Sequence, residues 1–304
     1  MSSVLDYDSF DIVKTLGHGS FSNVYLVKSK ATGQLYAMKS FFWNISPERI
    51  LNEAKMLRKL DSPCVDKLIS IIRKGNKVSF ILKFHASVNF MEFLSILNGK
   101  QVLYYMKSLL TALEYLHSKN IIHRDVKPSN FLYDPKSKSG TLIDFGFSEE
   151  ITFTDDLSNN TEQLSGNRSG TKGFRAPEVL IRSKKQTTAI DIWSAGVILL
   201  SLLTFRYPFF NPKDDLTALC QYSKIVGTLQ LNEAASECNR KIKFPYEVEA
   251  LDIKLLVLGL NPLIRETKIN LLICDLLQKM LQPVPSLRIT AKEALQHPIF
   301  KNIN

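Results

Sequence analysis

The stretch Ile121-Ile122-His123-Arg124-Asp125-Val126-Lys127-Pro128-Ser129-Asn130 carries the most specific chemistry in this chain. It sets a carboxylate at Asp125, an ammonium at Lys127 and an amide at Asn130. Asp125 and Lys127 are two positions apart, so in an extended loop their side chains point to the same side. A carboxylate can accept a hydroxyl proton, an ammonium can neutralise a phosphate, and an amide oxygen can bind Mg²⁺. The stretch therefore predicts phosphoryl transfer.

The run Asp144-Phe145-Gly146 follows and supplies a second carboxylate for Mg²⁺. A His-Arg-Asp triplet alone would be weak evidence, because short charged triplets are common. The longer run over residues 123–130, followed by Asp-Phe-Gly, is specific evidence for phosphoryl transfer. We therefore predict that Asp125 and Lys127 are catalytic and that Asn130 and Asp144 are the metal ligands.

Length and composition fit an ordinary folded protein. The chain has 304 residues, enough for a large core or for two lobes sharing a cleft. Hydrophobic residues make up 45% and charged residues 22%. The net charge of +10 favours anionic partners such as a nucleotide, an acidic peptide or nucleic acid. A solvated basic surface explains this charge equally well.

Three features bear on the compartment. The cysteines are Cys64, Cys220, Cys238 and Cys274. They form no Cys-x-x-Cys pair and fit no zinc spacing, so we expect buried, reduced thiols in an intracellular protein. Residues 1–6 lack the basic and apolar regions of a secretory signal. The apolar run 192–205 is too short to span a bilayer, so it predicts a buried helix in a soluble protein.

A glycine-rich loop is predicted near the start. A strand over residues 10–16 leads into Gly17-His18-Gly19-Ser20-Phe21-Ser22-Asn23-Val24. Glycines let the backbone approach a phosphate closely and leave amide hydrogens pointing at it. A plain hairpin turn is the alternative, but the downstream motifs favour a loop that binds ATP. We expect Leu16 and Val24 to lie on either side of the adenine.

Lys39 lies in a predicted strand. Ala37 and Lys39 share a face of this strand, and a lysine on an inner face needs an anionic partner. The α- and β-phosphates of ATP and a helix glutamate are the expected partners, and a solvated lysine is the alternative. A helix begins after the capping residue Ser46. Glu53 on this helix is the first candidate partner for Lys39, and Glu48 is the second.

The end of the first half has hairpin and hinge signals. Apolar runs over residues 68–73 and 77–82 flank Gly75-Asn76, which predicts a β-hairpin. Leu82 is expected at the back of the adenine pocket. Residues 83–86, including Phe84, would then form a hinge whose backbone groups bond the adenine edge.

The second half is predicted to be helical. One apolar face repeats at spacings of four and three, as a buried helix requires. Its members are Val102, Met106, Leu109, Leu113 and Leu116. Residues 148–168 have the polar composition of a mobile loop. A closing helix over residues 291–297 is expected to end at Pro298.

Taken together, residues 10–300 resemble a eukaryotic protein kinase domain. The resemblance implies an α+β, bilobal fold with a β-rich N-lobe over 10–82, a hinge at 83–86 and a helical C-lobe over 87–300. Residues 1–9 and 301–304 would be tails. The run Lys127-Pro128-Ser129-Asn130 is similar to the Ser/Thr form of the catalytic loop. ATP as co-substrate and Mg²⁺ as cofactor are implied.

The same resemblance gives structural roles to three charged residues. Ala176-Pro177-Glu178 would end an activation segment that begins at Asp144. We expect Glu178 to pair with Arg288, because a buried glutamate needs a cation; two unrelated surface charges are the alternative. Asp191 would bond the backbone of the catalytic loop.

A narrower likeness is to the cell-division-cycle-seven kinase family, which triggers DNA replication. The runs 19–26, with serine as the third loop residue, 123–133 and 170–180 are similar to it. Asp214-Asp215-Leu216-Thr217-Ala218-Leu219 is the most telling, since it has no catalytic duty. The likeness implies a nuclear kinase that phosphorylates the replicative helicase with a Dbf-type activator subunit. The chain lacks the long insertions usual in that family.

Two basic residues suggest substrate selection. Lys172 and Arg175 precede Ala176-Pro177-Glu178, where the peptide residue after the acceptor is expected. Two cations there favour an acidic or phosphorylated residue. The alternative is that Arg175 pairs internally and Lys172 is solvated.

Arg124 raises a question of regulation, because it could bind a phosphate on Thr161, Ser165 or Ser169. The sequence also leaves rival functions. A pseudokinase scaffold would lack catalytic residues, and none is missing. A cyclin-dependent or casein-type kinase is a closer rival. No nucleic-acid site and no membrane attachment are indicated.

Overall fold

The computed structural model describes residues 6–151, 170–261, 268–301 and 303. These residues form two compact units. The first holds the described residues up to Ala86 together with Thr141–Gly146, and the second holds the others. Strands dominate the first unit and helices dominate the second. The α+β class predicted from the sequence is therefore confirmed.

A five-stranded antiparallel sheet makes up most of the first unit. Its strands are β1 (Phe10–His18), β2 (Ser22–Ser29), β3 (Leu35–Phe41), β4 (Leu68–Lys74) and β5 (Lys77–Lys83), in the order β1-β2-β3-β5-β4. Lys39 lies opposite Val24 of β2 and Phe80 of β5. Opposed side chains of neighbouring strands share a face. Lys39 is therefore on the same face as Val24.

Helix α1 (Pro47–Lys59) begins where the sequence predicts. The Ser46 side chain accepts a hydrogen bond from the Arg49 amide, and Pro47 occupies the first helical position. The predicted hairpin around Gly75-Asn76 is also present between β4 and β5. On the other face of the sheet, a buried apolar cluster stabilises the unit. Its members are Phe10, Val27, Met38, Ile72 and Ile81.

The second unit is mainly helical. Its helices are α2 (Phe90–Ser95), α3 (Gly99–His117), α4 (Pro177–Leu180), α5 (Ala189–Thr204), α6 (Asp215–Val226), α7 (Thr228–Glu237), α8 (Ile253–Leu260), α9 (Lys268–Met280) and α10 (Ala291–Leu295). Between α3 and α4 the chain forms the short strands β6 (Ile121–Ile122), β7 (Phe131–Asp134), β8 (Ser139–Leu142) and β9 (Glu149–Glu150). Strands β6 and β9 pair in antiparallel fashion.

Helices α3 and α5 form the centre of the second unit. The predicted apolar face of α3 is buried, and α3 packs against α5 and α10. The apolar run predicted as a buried helix is α5, which has every residue after Ala189 buried. A helix that is buried on all sides is apolar around most of its circumference, which is why α5 was recognisable as an apolar run in the sequence.

Some boundaries differ from the sequence-based expectation. Strand β5 continues through Lys83, the first residue of the predicted hinge. Helix α10 ends at Leu295 instead of His297, and a short 3₁₀ helix follows at Pro298–Phe300. Most of the predicted loop, residues 152–168, lies outside the described residues. The expectation that the cysteines are buried holds for Cys238 and Cys274, but Cys64 is half-buried and Cys220 is exposed.

Candidate active site

A buried ion-pair network surrounds Lys39 in the first unit. Its Nζ lies 2.5 Å from Glu53 Oε1 and 2.8 Å from Asp144 Oδ1. Burial by itself would lower the pKa of Lys39, but the charges of Glu53 and Asp144 outweigh burial and raise the pKa. Lys39 is therefore a fixed cation. Glu48 is exposed, so Glu53 is the partner of Lys39.

Gly146 packs tightly beside this network. A Cβ at Gly146 would lie 3.3 Å from Glu53 Oε2, 3.4 Å from Asp144 Oδ1 and 3.5 Å from Arg49 Nη2. A side chain here would need the Glu53 carboxylate to shift by a few tenths of an ångström. Asp144 itself has a left-handed backbone with φ of 65°. Such a conformation is uncommon for a residue other than glycine and is concentrated at functional sites.

The glycine-rich loop is a tight turn between β1 and β2. The Gly19 amide donates to the Ser22 carbonyl at 2.8 Å, and His18 Nδ1 contacts Asn23 Oδ1 at 3.0 Å. Ser22, in the place of the third glycine, is buried and has no positive φ. Serine therefore fits this position without strain. Phe21 at the turn stacks on the Arg49 guanidinium, 3.6 Å from Cζ to the ring centroid.

The other residues predicted to hold adenine lie on or next to the strands of this sheet. Ala37 is directly opposite Leu82, which is buried. Leu16 on β1 is exposed, and Phe84, which follows β5 directly, is half-buried. Within the first unit, Ala37 and Leu82 share one face with Lys39, because strand side chains alternate with a period of two.

In the second unit, polar contacts hold Asp125 from several sides. Lys127 Nζ lies 2.8 Å from Oδ2, and Asn130 Nδ2 donates to Oδ2 at 3.0 Å. The Thr171 amide and hydroxyl both donate to Oδ1 at 2.8 Å. Thr171 Oγ1 also accepts from Lys127 at 2.7 Å. The sequence reasoning missed Thr171, although it is the only hydroxyl residue in the run 170–173.

Asp191 anchors the backbone of the same loop, as expected. Its carboxylate accepts from the His123 amide at 2.8 Å and from the Arg124 amide at 2.9 Å. His117, which sequence reasoning also missed, contacts the carboxylate at 3.0 Å. Burial would raise the pKa of Asp191, but the hydrogen bond and charge of His117 and the amide of His123 hold it below its ordinary value.

Arg124 is buried next to Asp125 and pairs with a carboxylate. Its Nη2 lies 2.6 Å from Glu149 Oε2. Its Nη1 donates to Gln186 Oε1. The three residues that it was predicted to read when phosphorylated, Thr161, Ser165 and Ser169, lie outside the described part of the chain.

The two predicted substrate-recognition cations have internal contacts. Arg175 Nη1 lies 3.0 Å from Asp215 Oδ1, and Arg175 Nε donates to the Gly170 carbonyl. This is the internal pairing that the sequence left open as the alternative for Arg175. Lys172 is exposed, and its Nζ donates to the Lys213 carbonyl at 2.7 Å. Of the two side chains, Lys172 is the more available to a peptide.

The run 214–219 has a structural role. Asp214 caps the N-terminus of α6 through a reciprocal pair of hydrogen bonds with Thr217. Asp215 binds Arg175. This run therefore ties α6 to the chain that leads into Ala176-Pro177-Glu178.

Two oxygen-bearing side chains suit Mg²⁺, which prefers carboxylate and amide oxygens. Asn130 uses both amide hydrogens on Asp125, one on its backbone carbonyl and one on its carboxylate. Its amide oxygen remains as a ligand or acceptor. Asp144 presents a partly exposed carboxylate. Among the described residues no group of three or more His, Cys, Asp or Glu could hold a metal ion.

The comparisons with known proteins agree with one another. A family model described as protein kinase domain matches residues 10–300. The chain is 34% identical to a probable cell division control protein 7 homolog 1 of Encephalitozoon cuniculi, over 96% of this chain and 92% of the relative. It is 31% identical to the cell cycle protein kinase spo4 of Schizosaccharomyces pombe, over 96% of this chain and 85% of the relative. It is 29% identical to the cell cycle serine/threonine-protein kinase hsk1 of the same yeast, over 95% of this chain and 72% of the relative. In the described part of the chain no helix is long and apolar enough to cross a membrane.

Proposed function

Since the chain belongs to the cell division control protein 7 kinases within the protein kinase family, we propose that it acts with an activator subunit in the initiation of DNA replication. Membership of this family makes the chain an ATP-dependent serine/threonine kinase. Its relatives carry cell-division and cell-cycle names. Under this proposal it is nuclear, its activator is of the Dbf type, and its substrates include subunits of the replicative helicase. A cyclin-dependent or casein-type kinase is less consistent with these relatives.

In the proposed mechanism, Asp125 orients the substrate hydroxyl and accepts its proton. The hydroxyl oxygen forms a bond to the γ-phosphorus as the bond from that phosphorus to the bridging oxygen of ADP breaks. The single observation that carries this assignment is the buried Asp125 carboxylate, held by Lys127, Asn130 and Thr171. An oriented base contributes to the rate because positioning supplies much of the catalysis.

Four further residues are proposed to handle the phosphates and the metal. Lys127 neutralises the γ-phosphate. Lys39, fixed by Glu53, places the α- and β-phosphates, and its permanent charge suits that role. Asn130 and Asp144 would hold Mg²⁺, which when bound offsets the charge on the β- and γ-phosphates.

The remaining predicted residues are proposed to bind the nucleotide. Backbone amides of the glycine-rich loop would contact the phosphates. The loop consists of Gly17, His18, Gly19, Ser20, Phe21, Ser22, Asn23 and Val24. Leu16, Val24, Ala37 and Leu82 would contact adenine through apolar side chains, and the backbone of Phe84 would bond its edge. The shared face of Ala37, Leu82 and Lys39 supports this arrangement.

We also propose that the enzyme favours acidic or phosphorylated residues directly after the acceptor. Lys172 is the main determinant, because its ammonium is exposed. Arg175 contributes less, because Asp215 already neutralises part of its charge.

A phosphate-transfer assay tests the proposal. Labelled ATP is offered with a serine peptide that has acidic residues after the acceptor, to the chain alone and to the chain with a Dbf-type activator. The Asp144→Asn variant is the inactive control. The Asp125→Asn variant is compared with Asp134→Asn, which removes a carboxylate that belongs to the same unit but lies outside the site. We expect transfer with the activator, lost in Asp125→Asn and kept in Asp134→Asn.

Other outcomes would contradict specific parts of the proposal. Full activity of the chain alone would exclude an obligatory activator. ATP binding without transfer in either condition would indicate a pseudokinase scaffold. Efficient transfer to generic peptides with none to helicase subunits would contradict the replication role.

A further inference from the structure

The Arg124–Glu149 ion pair joins the catalytic loop to the start of the activation segment. The Arg124 side chain is 2% exposed and lies 2.6 Å from Glu149, whose side chain is 28% exposed. Strand pairing reinforces this contact, since Ile122 lies opposite Glu149 in the ladder of β6 and β9. Glu149 is therefore held in place by its backbone as well as by its charge.

Arg124 also contacts the far end of the activation segment. Gly170 has φ of 93°, and a Cβ there would lie only 2.5 Å from the Arg124 carbonyl oxygen. Gly170 thus lets the returning chain pass directly over the Arg124 backbone. The next residue, Thr171, donates two hydrogen bonds to Asp125. Arg124 therefore contacts the chain on both sides of residues 152–169, at Glu149 before them and at Gly170 after them.

A buried guanidinium needs an anion, because leaving a buried charge unpaired is strongly unfavourable. A carboxylate and a phosphate both match its planar set of donors. In a kinase where phosphorylation orders the activation segment, a new arginine–phosphate pair provides that anion. In this chain the Glu149 carboxylate already pairs with Arg124.

We propose that Glu149 is a positioning residue which, through Arg124, holds the loop that carries Asp125, so that the activation segment needs no phosphate for catalysis. The inference rests on the proposed role of Asp125. A phosphate brought to Arg124 would carry about −1.5 to −2 charge beside the Glu149 carboxylate, and like charges repel. Phosphorylation of Thr161, Ser165 or Ser169 is therefore not expected to activate the enzyme.

The first test uses the unmodified full chain, under the condition in which it transfers phosphate. Protein treated with a phosphatase, with its intact mass checked before and after the assay, is expected to keep its kcat. A loss of about tenfold or more, restored by phosphorylation of the segment, would overturn the proposal.

The second test uses variants of the pair. Glu149→Ala is expected to lower kcat by about tenfold to a hundredfold, since small misplacements of a reacting group have effects of that size. The KM for ATP should stay unchanged, because Lys39 and the glycine-rich loop belong to the other unit. Glu149→Asp should keep part of the kcat, and added formate should partly restore Glu149→Ala. Glu150→Gln on the same strand is the matched control and should keep its kcat.

The outcomes separate the two claims. A Glu149→Ala protein that melts at the wild-type temperature and keeps its kcat would overturn the positioning role, while loss of activity in Asp125→Asn would still support the proposed function. Full activity in Asp125→Asn would overturn the proposed function itself. If Glu149→Ala does not fold, Arg124→Ala combined with Glu149→Asp decides: no further loss beyond Arg124→Ala alone supports the pair, and additive losses contradict it.

Discussion

Glu178 and Arg288 form a bidentate ion pair from which solvent is fully excluded. Arg288 Nη1 lies 2.7 Å from Oε1 and Nη2 lies 3.0 Å from Oε2, and both side chains are 0% exposed. Arg288 also donates to the carbonyls of Ala189 and Pro283. The pair joins the start of α4 to the segment before α10. The two residues are thus partners, as the sequence predicts, and not unrelated surface charges.

Removing Arg288 should destabilise the second unit strongly. Arg288→Ala leaves the Glu178 carboxylate buried without a cation, which costs about 3–5 kcal/mol of the free energy of unfolding. Urea denaturation followed by Trp193 emission would measure this, because Trp193 is buried and lies 5.3 Å from the Arg288 guanidinium. Lys67→Ala, which breaks an exposed pair with Asp61, is the control and should change little. An equal effect of both changes would contradict the prediction.

Glu53→Gln should lower kcat/KM by about a hundredfold, because Lys39 would lose the charge that fixes its ammonium. The comparison is Glu48→Gln, which removes an exposed carboxylate from the same helix and should leave the rate unchanged. Steady-state kinetics with ATP and a serine peptide would measure both. Similar losses in the two variants would show that the charge of the helix, and not the Lys39 contact, matters.

The stability of the second unit should depend on pH through Asp191. The pKa of Asp191 in the folded protein lies below its ordinary value, so as the pH falls through that ordinary value the unfolded state binds a proton that the native state does not. The stability that Asp191 contributes is full above about pH 5 and is lost as the pH falls through the lower folded pKa. Urea midpoints between pH 6 and pH 3 should fall less steeply in Asp191→Asn than in the wild type. Parallel curves would contradict the prediction.

The contact of Phe21 with Arg49 should affect ATP binding, since it ties the glycine-rich loop to α1. Arg49→Lys keeps the charge but loses the planar stack, and it should raise the KM for ATP severalfold with little change in kcat. A double-mutant cycle with Phe21→Leu should give a coupling of about 0.5–1 kcal/mol. Additive effects on KM would exclude a direct contribution of the stack.

Lys172→Ala should reduce the preference for an acidic residue after the acceptor. The ratio of kcat/KM for an aspartate peptide to that for an alanine peptide should fall about threefold to tenfold, as for one charge-assisted contact. Arg175→Ala should change the ratio less, because Asp215 already binds Arg175. Lys241→Ala, an exposed cation elsewhere in the unit, is the control. Unchanged discrimination in the double variant of Lys172 and Arg175 would disprove this specificity.

Some site features were predictable because their signals are local. Ser46-Pro47 determines where α1 begins, and the spacing of four and three determines which face of α3 is buried. Thr171 and His117 could not be assigned in this way. Each contacts a carboxylate that is distant in sequence, at 46 and 74 positions respectively. No short-range pattern encodes such a pairing.

The sequence by itself determined the chemistry of this protein: which side chains can accept a proton, neutralise a phosphate or bind Mg²⁺, and that strands precede helices. The tertiary structure decided which charges neutralise which. It pairs Glu149 with Arg124, for which the sequence offered only a phosphate. It pairs Asp215 with Arg175, for which the sequence offered either a substrate residue or an internal partner that it could not name. The physical reason is that ionic pairing depends on distances of a few ångströms and on burial. Both are set only when remote segments pack together.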